Sequence, residues 1–135
     1  MDRRLARKEA LRLLFDYSFN GEKSVDVLFD CAAQARDFEP DEFVNTLVSG
    51  VIEKVDDLDT IIETNLKGWK KNRISRVVLT ILRMAIYEIL YIDSVPVSVS
   101  INEAVELAKV FGDDKDAPFV NGLLGSVARA VEAGE

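Results

Sequence analysis

The chain has no histidine among its 135 residues. Its absence removes the commonest metal ligand and the commonest general base near neutral pH. A single cysteine, Cys31, excludes an internal disulfide. Its setting in LFDCAA, an apolar helical pattern, reads as a small buried thiol rather than a reactive one. Only three prolines and seven glycines are present, which leaves little material for linkers or low-complexity tracts. The longest apolar run, residues 77–92, contains Arg83 and Glu88 and falls short of the roughly 20 residues a bilayer span needs. The basic N-terminus has no apolar stretch behind it of the kind a secretory leader carries. These absences point to a cytoplasmic protein with no membrane contact and no resident metal or cofactor.

What is present is charge, sharply segregated. The net charge is −7, yet residues 1–12 (MDRRLARKEALR) carry +3 and residues 64–87 carry +6 with no acid among them. The acidic excess lies in residues 13–63 and 88–135. An anion meets local patches, not the average, so Arg3, Arg4, Arg7 and Lys8 are candidate phosphate contacts. Cations in a first helical turn oppose the helix dipole, so fold stability does not explain them. Four neutralised phosphates on a single strand correspond to a slope of about −3 for log affinity against log salt. Arg12 lies deeper in its helix and reads equally as an ion-pair partner.

Nearly every segment has helical periodicity. A first helix is expected over about Arg3 to Phe19, with Leu11, Leu14, Phe15 and Ser18 on one face and Asn20-Gly21 as the stop. Ser24 opens a second, with Val25, Leu28, Phe29 and Ala32 at i, i+3, i+4 and i+7. Pro40 opens a third, carrying Phe43, Leu47, Val51 and Val55. The acidic EKVDDLD reads as a break before a short helix with Ile61, Ile62 and Leu66. From Ser75 to about Ile92 scarcely any polar face remains, the pattern of a helix surrounded by others. Ser98 or Ser100 is the expected start of the next, with Glu103 at capping-box spacing from Ser100. The last carries Val120, Leu123, Leu124, Val127, Ala128 and Val131 as its stripe. The expected fold is an all-α bundle of about six to seven helices in one domain.

The order ILRMAIYEILYIDSVPVSVSINEAVELAKVFG, an acidic loop and FVNGLLG closely resembles the NusB family of bacterial transcription factors. Paired arginines, an Ala-Arg step and an A-L-x-x-L-aromatic helix at the N-terminus fit as well, so the likeness covers essentially the whole chain. The resemblance implies two helical subdomains, about 1–68 and 69–135. It implies a non-enzymatic adaptor that binds the single-stranded boxA element of ribosomal RNA leaders. NusE, a small-subunit ribosomal protein, would be its partner within the RNA polymerase antitermination complex, in support of rRNA maturation. No catalytic domain is expected to follow FVNGLLG.

Phe119 and Asn121 occupy FVNG positions outside the apolar stripe. An aromatic for stacking and an amide for base edges suit single-stranded RNA; the bland alternative is a core cap and a helix-end hydrogen bond. Gly122 reads as permitting close helix approach, and Asn102 and Glu103 as capping and inter-helix hydrogen bonding. Lys67, Lys70, Lys71 and Arg73 read equally as a solvated connection and as an RNA-tracking surface. The resemblance places Phe15, Arg76, Leu79 and Arg83 toward NusE. Two positions depart from the family pattern: Pro118 stands where a basic residue is usual, and Val78 where an acid is usual. An exposed Val78–Leu79 pair would instead signal a drier partner surface or self-association. The altered Val78 and Pro118 positions support a second reading, a self-associating, homodimeric protein-interaction bundle that does not use RNA. Catalysis is the remote third reading, since the carboxylates form no paired arrangement.

Overall fold

The computed structural model describes residues 2–20, 41–66 and 74–134, the side chains of residues 19 and 20 excepted. Among these residues the fold is all-α, with five helices and no strand: α1 (Arg3–Asn20), α2 (Glu42–Thr64), α3 (Arg76–Tyr91), α4 (Val97–Phe111) and α5 (Asp116–Glu132). The helix expected after Ser24, Cys31 within it, and the basic residues Lys67, Lys70, Lys71 and Arg73 lie outside the described residues.

α3 is central and packs against all four of the others. Its composition requires this position: Val78, Ile81, Leu82, Met84, Ala85, Ile86 and Ile89 are all buried. Ser75 caps its start by accepting a hydrogen bond from the Val78 N–H at 3.3 Å. The exposed Val78–Leu79 pair is therefore absent. Val78 is in the core, 1% exposed, and Leu79 is half-buried against it.

The expected break at EKVDDLD does not occur, so two expected helices are one, and the described residues hold five helices where six to seven were expected for the whole chain. α2 runs unbroken for 23 residues, capped by Asp41, whose carboxylate accepts from the N–H groups of Phe43 (2.8 Å) and Val44 (3.3 Å). The buried stripe of Val44, Leu47, Val48 and Val51 continues through Leu58 and Ile62. A stripe with an intact helical period holds the helix together, and Asp56 and Asp57 project into solvent, where they cost it little.

α4 also starts earlier than expected. Its N-cap is Pro96, without a side-chain cap bond. Ser100 and Glu103 are thereby released from capping and turn inward. Asp2 caps α1, accepting from the Leu5 N–H at 2.8 Å.

One glycine is demanded by packing. A Cβ on Gly50 of α2 would overlap the ring of Tyr87 on α3. Gly50→Ala should therefore destabilise the protein by about 1–3 kcal/mol, the usual range for overpacking. Most of that loss should vanish in a Tyr87→Leu background, a non-additivity that urea unfolding of the four proteins in the cycle measures.

Candidate nucleic-acid interface

Arg7 does not stand at the surface. It is 3% exposed and makes a multidentate ion pair with Glu88 of α3, itself 2% exposed. Arg7 Nη2 reaches Glu88 Oε1 at 2.7 Å, and Nε lies 3.0 Å from Oε2 and 3.2 Å from Oε1. The Ser100 hydroxyl donates to Glu88 Oε1 at 3.1 Å. Arg7 Nη1 approaches Glu103 Oε1 at 3.6 Å, and the guanidinium lies 5.3 Å from the Phe43 ring centroid. The side chain is buried and its Nε–Nη2 edge is committed to Glu88, so Arg7 is corrected from phosphate contact to structural residue. The spacing carried a signal: Arg7 falls on the Leu11–Leu14–Ser18 face when that face is extended back by one turn. Glu88, a lone acid in an otherwise apolar helix, was the other half of it.

The remaining N-terminal cations do face solvent. Arg3, Arg4 and Lys8 are exposed, and Arg3 lies over Phe43 at 4.0 Å from the ring centroid. Arg4 is held by Glu103 of α4 through two bonds, Nη2 to Oε2 at 2.9 Å and Nε to Oε1 at 3.2 Å. The hydrogen bond from Arg4 holds the Glu103 carboxyl below the ordinary glutamate range, and the same bond raises Arg4 above the ordinary arginine value. Because the Glu103 value is lowered on folding, its contribution to stability is complete above the ordinary glutamate range and is lost as pH falls through the lowered value.

Arg4, Arg7 and Lys8 share a small groove of about 100 Å³ with Glu103, Glu106, Leu107 and Val110 of α4. A second groove, about 480 Å³, runs between α4 and α5 and is lined by Val105, Lys109, Asp113, Asp114, Ala117, Pro118 and Asn121. Asn121 is exposed there, while Phe119 is half-buried against the core. The two candidate walls thus adjoin opposite sides of α4, whose ridge carries the Lys109–Glu106 pair at 3.3 Å. Among the described residues Gly122 has no close-packing role: it is exposed, and a Cβ there meets none of them within 4 Å. An exposed glycine inside a helix costs about 1 kcal/mol relative to alanine and leaves bare backbone beside Asn121.

A comparison with protein families decides what carries this arrangement: the model of the NusB family matches residues 4–129. The chain belongs to the NusB family. It is 41% identical over 128 residues to the transcription antitermination protein NusB of Listeria monocytogenes, covering 95% of this chain and 97% of that one. The NusB of Clostridium novyi is 40% identical over 136 residues, with 96% and 100% covered. Among solved structures, NusB of T. maritima aligns with a TM-score of 0.83 at 28% identity, over 96% of this chain and 92% of that one. A crystal structure of the antitermination factors NusB and NusE in complex with dsRNA aligns with a TM-score of 0.82 at 25% identity, over 95% and 96%.

The residues that the NusB resemblance turned toward a protein partner are divided by the structure. Arg83 is bound within the chain, Nε to Asp59 Oδ1 at 2.7 Å and Nη2 to Oδ2 at 2.8 Å, joining α3 to α2. Arg76 donates to the Ser18 carbonyl at 3.0 Å and ties α3 to the end of α1. Phe15 lines an apolar groove of about 500 Å³ with Leu5, Leu11, Val77 and Phe111, rimmed by Lys8, Glu9 and Arg12. Leu5 and Phe111 are 46% and 44% exposed, and neither was singled out from the sequence. Both sit on helices whose core faces lie elsewhere, so periodicity alone gave them no role. Lys8 borders both the cationic groove and this apolar one.

Arg7→Ala would strand the Glu88 charge in the core and should cost about 3–5 kcal/mol. Arg4→Ala, whose side chain stands in solvent, should leave the urea midpoint near that of the parent protein. Equal, small effects of the two substitutions on the midpoint would contradict the division of roles.

Proposed function

We propose that this chain is a non-enzymatic RNA-binding adaptor of transcription antitermination. It binds a single-stranded, boxA-type element of ribosomal RNA leaders together with NusE, within the RNA polymerase antitermination complex, and so supports rRNA maturation. The observation that carries this reading is the solvent-facing cation group of Arg3, Arg4 and Lys8 in a protein of net charge −7. These three charges are held at the start of one rigid helix, where phosphates supply what the fold does not require.

Support for a composite surface comes from Lys8, which belongs at once to the cationic groove and to the apolar Phe15–Val77–Phe111 groove. RNA along the first and a protein along the second would meet on α1. The structurally similar NusB–NusE complex with dsRNA supports both kinds of partner. A preference for single strands rests on Asn121 and the bare Gly122 backbone, which suit the unstacked base edges that a duplex conceals. Arg76 and half-buried Leu79 are the further NusE contacts on α3 in this reading, whereas Arg83, paired with Asp59, positions α3 against α2.

With Arg7 withdrawn, three of the candidate phosphate contacts on α1 remain, and their share of the salt slope falls to about −2 on a single strand. The test is a titration with a boxA-like single-stranded RNA, with and without NusE, against scrambled and duplex controls. Tight binding of the boxA-like strand, strengthened by NusE, is expected. Arg3→Ala with Arg4→Ala should lower the affinity and take about 1.4 off the magnitude of the slope. An affinity indifferent to salt and to both substitutions would sink the reading.

A further inference from the structure

Arg4 is an exposed cation with an unusually fixed geometry. Its side chain is 65% exposed, yet Glu103, only 12% exposed, grips it by the Nε–Nη2 edge. Glu103 is itself held in place: Oε1 lies 3.6 Å from Arg7 Nη1, and Arg7 is locked to Glu88, which accepts from Ser100. The surface guanidinium is thus the outer end of a chain of charged groups anchored in the core. The bonds to Glu103 use Nε and Nη2, and Nη1 lies outside them.

We infer that Glu103 is a positioning residue for RNA binding, which holds the Arg4 guanidinium in a fixed orientation with Nη1 directed to a phosphate. This rests on the reading of Arg4 as an RNA contact and adds how that contact is built. The inference runs against simple charge reasoning. Removing a carboxylate near a phosphate should strengthen binding, by about threefold at most in water and less in salt. Freeing a long, rotamer-rich arginine, which must then be ordered by the ligand, weakens binding by about two- to tenfold. At physiological salt the carboxylate is screened and the ordering cost is not, so the second effect wins. The raised Arg4 and lowered Glu103 values agree that both groups are charged in the free protein.

The test is equilibrium binding of a boxA-like single-stranded RNA at about 0.15 M salt, near an 8 Å screening length. Glu103→Ala should bind about two- to fivefold more weakly than the parent protein, although the site has become more positive. Its salt slope should stay the same, since Arg4 still neutralises its phosphate. Glu103→Gln, which keeps an acceptor for one of the two N–H groups, should recover part of the loss. In an Arg4→Ala background, Glu103→Ala should cause no further loss of affinity. Tighter binding by Glu103→Ala and Glu103→Gln would overturn the proposal and make Glu103 a competing charge. An equal loss with and without Arg4 would also overturn it, because Glu103 would then act through the fold. If Arg4→Ala itself binds RNA as the parent does, the underlying reading of Arg4 fails instead.

Discussion

The structure depends on one buried ion pair. Arg7 and Glu88 face each other with almost no exposure, linking α1 to the central helix, and Ser100 brings in α4. Taking two charges out of water is expensive, and it is recovered only where geometry is good and the remaining valences are filled. Here both carboxylate oxygens and the Nε–Nη2 edge of the guanidinium are engaged, Nη1 lies 3.6 Å from Glu103, and among the described residues no buried side-chain N or O lacks a hydrogen-bond partner. Such a pair adds little net stability compared with an apolar replacement. What it does is fix register: α1 can sit on α3 and α4 in one rotation and at one height. That rotation sends Arg3, Arg4 and Lys8 outward.

The same constraint organises the surface. Glu103 reaches Arg4 from α4 because α4 begins at Val97 and places Ser100 and Glu103 on its inward side. α1 then presents cations toward one groove and Leu5 and Phe15 toward another, with Lys8 on the border. These two neighbouring grooves give one helix a cationic edge and an apolar edge. The α1 cations form a local positive patch in a chain of net charge −7, and an anion meets that patch rather than the average.

Much of the fold was legible in the sequence for physical reasons. α3 was recognisable because a helix without a polar face has to be central, and α1 and α5 because their stripes are regular. The merging of the third and fourth expected helices into α2 was obscured by EKVDDLD, where three aspartates looked like a cap. Only the packing of Leu58 and Ile62 against the core shows that the period runs on. In the site, composition located the cation cluster but could not divide it. Four neighbouring basic residues look alike until the rotation of α1 is known, and that rotation is set by Glu88, some eighty residues away. Gly122 misled for a related reason: a glycine in a helix suggests contact, and only the space around it among the described residues shows otherwise.

The most direct test of this division is NMR observation of the arginine Nε–Hε groups during titration with a boxA-like single-stranded RNA. The account predicts that the Arg7 signal is protected from solvent exchange and stays in place throughout, while the Arg4 signal shifts with binding. An Arg7 signal that exchanges as fast as that of Arg3 and moves with added RNA would contradict it.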